Sequence, residues 1–235
     1  ISPYFSGAFA KSVSKAAVDI AQEMGVEKKV CEAISFAGFI CEIGMVGLDA
    51  KVITTPFNKL TPAQQDAFFT QSSKAQLILS PATQLQNVTD IIMHQFEYVS
   101  GRGFPNNVAG VDIPIGAKIL SVARDYIRYR TGKIDGIEHS VVDSLDKLAN
   151  YSGLQYDGSV INVLKKQQLA ASDDSFDIGR RSHQIQPGMV LAESLFNEND
   201  ILILRQGHVF DEDSIVKIKA LEKRFKMTLS ILIEE

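Results

Sequence analysis

The stretch His94-Gln95-Phe96-Glu97-Tyr98-Val99-Ser100-Gly101-Arg102-Gly103-Phe104-Pro105 decides the fold class of this 235-residue chain. It opens with side chains that can bind or transfer protons, and it closes with a Gly-x-Gly-aromatic-Pro frame. Glycine and proline are the strongest local signals for a loop. We therefore expect a loop over 100–114, between a helix that covers 84–98 and another that begins at Pro114.

Apolar residues recur at helical spacing through the first two thirds of the chain. Thr61-Pro62-Ala63-Gln64 combines an N-cap threonine, a proline at the first helical position and a capping box. It predicts a helix of about fifteen residues, a normal length for a globular protein. The other predicted helices are 8–24, 27–43, 138–151 and 158–170.

The pattern changes after a polar linker at 172–178. Strands are predicted over 189–195, 201–204 and 228–233, and Asp211 caps a helix that extends to residue 225. The predicted fold is mostly α: a helical bundle over 1–171, followed by a small α+β module over 179–235.

Composition excludes several classes of protein. The net charge of −4 does not suit a general nucleic-acid binder, and no apolar run is long enough to cross a membrane. Cys31 and Cys41 are too few for a disulfide framework, so we expect buried free thiols and a cytoplasmic protein.

The chain resembles the HD-GYP family, the cyclic di-GMP phosphodiesterases of bacterial signalling. That family carries a His-His-Glu or His-Gln-Glu triplet followed by Asp-Gly-x-Gly-Tyr-Pro. The resemblance covers residues 5–170, and the order and spacing of several motifs make it specific. It implies that the predicted helical bundle is of the HD type, a domain in which metal ions activate a water for attack on phosphorus. The C-terminal module resembles an accessory domain of bacterial response regulators. Because the chain begins at Ile1, we expect an upstream portion, such as a receiver domain.

When the chain is aligned with the family, a different residue stands at each position that holds a metal ligand in the family. Phe9 stands at the first His, Cys41 and Glu42 at the His-Asp pair, and Gln71 at the next His. In the signature stretch, the Gly-x-Gly frame places Gln95, Phe96 and Glu97 at the triplet. His94 lies one position early, and a one-residue insertion would restore it.

The last family ligand is the first Asp of a Val-Ala-Asp-x-x-Asp-Ala run. Here the run reads Val122-Ala123-Arg124-Asp125-Tyr126-Ile127-Arg128, so Arg124 replaces the ligand. A fixed cation repels a metal ion. Asp125 would serve only if the register slipped by one, which turns it about 100° around the helix. We therefore expect no bound metal, no cofactor and no enzymatic activity.

Two interpretations of the site with these substituted metal ligands remain open. Arg124 and Arg128 lie one helical turn apart and share a face, which suits a site for a phosphate or a related anion. Alternatively, Arg124 pairs with Glu42 or Glu97 and fills the space that the metals occupied. The candidate ligand-binding residues are Cys41, Glu42, Gln71, His94, Glu97, Arg102, Arg124 and Arg128.

Three functions follow from the resemblance. The sequence favours a catalytically inactive signalling domain that contacts a protein partner: a receiver domain, a GGDEF-type domain or a second copy of the chain through its apolar first helix. The second is a sensor that binds cyclic di-GMP or a related anion without hydrolysis. The third is a metal-dependent phosphohydrolase with an unusual ligand set: Cys41, Glu42, His94, Glu97 and Asp125.

Overall fold

A computed structural model describes residues 7–170, 180, 182–196, 202–225, 229 and 231–233. The chain divides into two compact units, Ala10–Ser175 and Phe176–Glu235, the second of which also includes Ile1–Phe9. The first is helical and the second is a small α+β unit, which confirms the predicted fold class. The predicted boundaries 1–171, 172–178 and 179–235 stay a prediction, because residues 171–179 lie outside the described part.

The helical part contains nine described α-helices. They are α1 (Gly7–Glu23), α2 (Lys28–Phe39), α3 (Ala50–Thr54), α4 (Pro62–Phe69), α5 (Gln71–Leu79), α6 (Gln86–Met93), α7 (Ile115–Arg130), α8 (Val141–Ala149) and α9 (Gly158–Ala170).

Helix α7 forms the centre of this unit. It packs against α2, α6, α8 and α9, and every residue from Ile119 to Tyr129 is buried. The apolar stripe of α1, which includes Val13 and Ile20, is also fully buried. That stripe is therefore not the dimer face that the sequence suggested.

Several helix boundaries differ from the prediction. The capping box of Thr61 and Gln64 is present, but the predicted long helix breaks at Thr70 into α4 and α5. Helix α2 ends at Phe39, and a 3₁₀ turn follows at Ile43–Met45. In this turn a Cβ added at Gly44 would lie 1.8 Å from the carbonyl oxygen of Gln71, so the turn packs directly on the start of α5.

The described part of the second unit holds a two-stranded antiparallel sheet, β1 (Leu195–Phe196) with β2 (Leu202–Leu204), and helix α10 (Glu212–Phe225). Asp211 Oδ1 accepts a hydrogen bond from the Ser214 backbone, as expected of the predicted cap. Among the described residues of the predicted strands over 189–195 and 228–233, isolated bridges form at Val190, Leu191, Ile231 and Ile233. Residues 197–200, between the first two predicted strands, lie outside the described residues. The core includes Leu191, Phe210 and Ile231.

No helix in the described ranges is long and apolar enough to cross a membrane.

Candidate functional site

Arg124 lies at the centre of a buried polar network and is 3% exposed. Its Nε and Nη2 donate to Asp125 Oδ1 and Oδ2 at 2.9 and 2.8 Å, and its Nη1 donates to the backbone and side-chain oxygens of Gln95 at 2.9 and 3.0 Å. The guanidinium carbon lies 4.0 Å from the centre of the Phe96 ring. Burial would lower the pKa of Arg124, but the charge and hydrogen bonds of Asp125 outweigh it and raise that pKa.

The same network joins distant parts of the chain. Tyr156 Oη donates to Asp125 Oδ2 at 2.9 Å, and Gln95 Nε2 donates to the backbone oxygen of Cys41 at 3.0 Å. Burial by itself would raise the pKa of Asp125. The charge and hydrogen bonds of Arg124 have the larger combined effect, so the pKa of this carboxyl is lowered. Burial, followed by the charge of Asp125, raises the pKa of Tyr156 well above its ordinary value.

The predicted partners of Arg124 are wrong. Glu42 pairs with Lys133 at 3.4 Å, and Glu97 accepts hydrogen bonds from the backbone of Asn106 and Val108 at 2.6 and 3.0 Å. Asp125 was expected to lie on the wrong face of its helix. It is buried because α7 is enclosed around its whole circumference here, so a turn of about 100° still leads into the interior.

Cys41 is a free buried thiol, as predicted for both cysteines. Burial, together with the charge of Glu42, raises the pKa of Cys41 to about 12 against the opposing charges of Arg124, Lys133 and Arg128. The thiolate is the form that binds metals and attacks electrophiles. At neutral pH, Cys41 is therefore a neutral, weak donor.

Arg128 is the second buried guanidinium of α7 and is 7% exposed. Its guanidinium carbon lies 4.6 Å from the centre of the Phe68 ring. Its Nε is buried and has no hydrogen-bond partner among the described residues. Burial is the largest influence and lowers the pKa of Arg128, although Asp125 and Glu42 act in the opposite direction.

We name the assembled groups the α7 cluster: Cys41, Glu42, Gln95, Arg124, Asp125, Arg128, Lys133 and Tyr156. The sequence had singled out Cys41, Glu42, Arg124 and Arg128 as ligand-binding candidates. It missed Lys133 and Tyr156, which lie outside the aligned motifs and join the cluster only through tertiary structure.

The other predicted site residues have different surroundings. Gln71, which stands at a metal-binding His of the family, begins α5 and is buried, and its Nε2 donates to the Phe68 backbone at 2.8 Å. His94 Nδ1 lies 2.9 Å from the backbone oxygen of Asp90, so its ring turns towards its own helix. Arg102 is exposed on the signature loop.

The cluster does not fit the metal ions that the HD-GYP resemblance implies. Within the described ranges, no group of three or more His, Cys, Asp or Glu side chains is placed to hold a metal ion. Arg124 brings a fixed positive charge, and the carboxylate of Asp125 is engaged by Arg124 and Tyr156. The carboxylate oxygens that could bind a metal ion are therefore already engaged by protein groups.

Comparison with known proteins identifies the family. Residues 2–160 match the HD domain family. The chain belongs to the HD domain family. It is 25% identical over 179 residues to a cyclic di-GMP phosphodiesterase of Thermotoga maritima, a match that covers 72% of this chain and 48% of that protein. The chain thus spans about half the length of the curated relative it matches.

Two solved structures share the fold. Bd1817, an HDGYP protein from Bdellovibrio bacteriovorus, superposes with a TM-score of 0.59 at 17% identity over 68% of this chain and 51% of that one. A cyclic GMP-AMP-specific phosphodiesterase of V. cholerae, V-cGAP3, gives a TM-score of 0.56 at 14% identity over 92% of this chain and 55% of that one.

These relatives correct one expectation. The loss of the family's metal ligands suggested that the chain is not an enzyme. The Thermotoga relative is a phosphodiesterase, so the HD domain described here is related to an enzyme, and nothing in its described residues shows that it is inactive.

Proposed function

We propose that this chain is a signalling domain of the HD phosphodiesterase type that recognises a cyclic dinucleotide at the α7 cluster. The observation that carries the proposal is the buried positive charge of this cluster. The relatives support the choice of ligand, since cyclic di-GMP and cyclic GMP-AMP each contain two anionic phosphodiester groups.

The charge of the cluster suits an anion. It holds three cations (Arg124, Arg128 and Lys133) and two carboxylates (Asp125 and Glu42), which leaves one positive charge in excess. Its thiol and phenol stay neutral because their pKa values are raised. A buried excess charge is costly unless a counter-charge compensates it, and guanidinium groups bind phosphate oxygens well.

Aromatic rings beside the cluster suit the bases of such a ligand. Phe96, which stacks under Arg124, packs edge-on against Phe68 and Phe69. Phe104 of the signature loop lies parallel to Phe69 with ring centres 4.3 Å apart, and it is 37% exposed. Nucleobases stack on such exposed ring faces.

Calorimetric titration with cyclic di-GMP and with cyclic GMP-AMP tests this proposal. We expect saturable binding of at least one of them. A Phe104→Ala change should weaken it about tenfold, because stacking contributes about 1–3 kcal/mol per base. Val111→Ser is the matched control, since Val111 lies on the same loop and is exposed. Product analysis of the same samples measures hydrolysis. No binding of either nucleotide at millimolar concentration would refute the proposal.

A second function, signalling through contact with another protein, is favoured by the outer face of α2. Phe36 and Phe39 lie three residues apart on that face and are 42% and 46% exposed, whereas the inner face packs on α6 and α7. Exposed apolar groups of this kind often mark interaction sites. The domain would then be the output half of a response regulator, placed in the cytoplasm, with a receiver domain, a GGDEF-type domain or a second copy as its partner.

Sedimentation velocity tests directly whether a second copy of the chain binds to this face of α2. We expect a concentration-dependent dimer that a Phe36→Ser, Phe39→Ser variant no longer forms. Lys29→Ser, a change on the same helix that removes no exposed apolar side chain, is the control. A monomer at every concentration would rule out self-association through this face.

A further inference from the structure

Arg128 is a buried cation that this chain adds to the family motif. It occupies the position of the final Ala in the Val-Ala-Asp-x-x-Asp-Ala run. An alanine there would bring neither a charge nor a hydrogen-bond donor. The side chain of Arg128 is 7% exposed and lies one helical turn beyond Arg124.

The carboxylates of the cluster are already engaged elsewhere. Both oxygens of Asp125 accept hydrogen bonds from Arg124, and one also accepts from Tyr156. Glu42 pairs with Lys133 through a 3.4 Å contact. Neither carboxylate forms an ion pair with Arg128, although both act on it electrostatically. Within the described part of the chain, the guanidinium of Arg128 therefore has no anionic partner in contact.

The geometry leaves the edge of the Arg128 guanidinium for a ligand. Its guanidinium carbon lies over the Phe68 ring, 4.6 Å from the ring centre, so the ring covers one side of the group. The Nε of Arg128 is buried without a hydrogen-bond partner among the described residues. The edge of a guanidinium carries all five donors in a fork that matches two oxygens of one phosphate.

We propose that Arg128 is the phosphate-binding group of the α7 cluster, and that two oxygens of a phosphate accept its hydrogen bonds. The phosphate belongs either to a cyclic dinucleotide, in which case the inference rests on the function proposed above, or to free inorganic phosphate.

The first arm of the test uses inorganic phosphate and the whole chain. The melting temperature is followed as phosphate replaces chloride at constant ionic strength, for the wild type and for Arg128→Gln. A ligand that binds only the folded state raises the melting temperature, and its stabilisation grows with the logarithm of one plus the ratio of ligand concentration to Kd. We expect a rise in the wild type, and at least a tenfold higher phosphate requirement in the variant. Arg205→Gln is the control because Arg205 is exposed and does not belong to the α7 cluster.

A second measurement needs no disruptive variant. Proton–nitrogen NMR resolves the arginine Nε–H groups of the wild type, and Arg128→Lys, which keeps the charge, assigns the Arg128 signal. We expect this signal to move on addition of phosphate and to saturate, while the Arg124 signal moves less because its donors are engaged. An Arg128 signal unchanged by phosphate would overturn the inference, even if Arg128→Gln failed to fold.

The second arm repeats the calorimetry with cyclic di-GMP and cyclic GMP-AMP. Equal binding by the wild type and Arg128→Gln would overturn the role of Arg128 and leave the proposed function standing. Phosphate binding that needs Arg128, without binding of either dinucleotide, would support the site and contradict the proposed function. Equal effects of phosphate on both proteins would overturn the inference outright.

Discussion

Arg124 and Asp125 are adjacent in sequence, and their side chains form a two-bonded ion pair in the interior. The long arginine side chain bends back to its neighbour and still reaches Gln95 with its remaining donor group. This leaves Glu97 to fix the backbone of the signature loop and Glu42 to pair with Lys133. The sequence could predict that Arg124 replaces a metal ligand. It could not predict its partner, because that choice depends on side-chain paths within a fully enclosed helix.

The Arg124–Asp125 pair should be strongly coupled. Removing one member of a buried pair strands the other charge, so Arg124→Ala should destabilise the protein by about 3–5 kcal/mol. Arg124→Ala combined with Asp125→Ala should recover part of that loss. Urea unfolding of the single and double variants measures the coupling. Arg124→Ala combined with Glu42→Gln is the control and should be close to additive, since Glu42 pairs with Lys133. Additive losses for the Arg124–Asp125 combination would contradict the pairing.

Tyr156 should make stability depend on alkaline pH. Its pKa is raised in the folded protein, so its contribution is fully present below the ordinary pKa of about 10 and is lost as the pH rises towards the folded value. Tyr156→Phe should cost about 1.5–3 kcal/mol near neutral pH, because it removes a hydrogen bond to a charged carboxylate. The variant should also lose less stability than the wild type above pH 10. Urea unfolding across this range measures both effects, and parallel pH profiles would contradict the assignment.

At the scale of elements, local signals predicted where helices begin better than where they end. The capping box at Thr61 is local and was predictable. The break at Thr70 is not, because the turn at Gly44 packs on the first residue of α5. Helix α6 was expected to continue to Tyr98, but it ends at Met93, and Phe96 instead forms a bridge with Phe104. Tertiary contacts therefore override a helical periodicity that the sequence does carry.

The signature loop depends on a close approach at Gly103. A Cβ there would lie 2.2 Å from the Tyr98 backbone nitrogen and 2.4 Å from the Cα of Glu97, so the backbone itself would have to move. Gly103→Ala should destabilise the protein by about 1–3 kcal/mol through overpacking. Gly7→Ala is the matched control, since a Cβ at Gly7 meets no atom within 4 Å. Thermal unfolding compares the two variants, and equal melting temperatures would show that the loop can yield at this point.

At the scale of the whole molecule, the cluster joins residues more than one hundred positions apart, from Cys41 to Tyr156. The order of the family motifs along the chain predicted the HD fold and located most of this site. The replacement of the family's metal ligands does not by itself establish that the chain is inactive, since the Thermotoga relative is a phosphodiesterase. The sequence shows which metal ligands of the family have been substituted. It does not show the new contacts of Arg128 and Lys133, because these form only in the folded chain.

Hydrogen-exchange mass spectrometry with saturating cyclic di-GMP or cyclic GMP-AMP tests the central claim most directly, because it shows whether a cyclic dinucleotide binds and where. Protection should appear in peptides that cover 95–108 and 124–134, which carry the signature loop, both buried arginines and Lys133. Peptides from 182–196 and 202–225 should exchange as before. Protection confined to those C-terminal peptides, or no protection with either nucleotide, would contradict recognition at the α7 cluster.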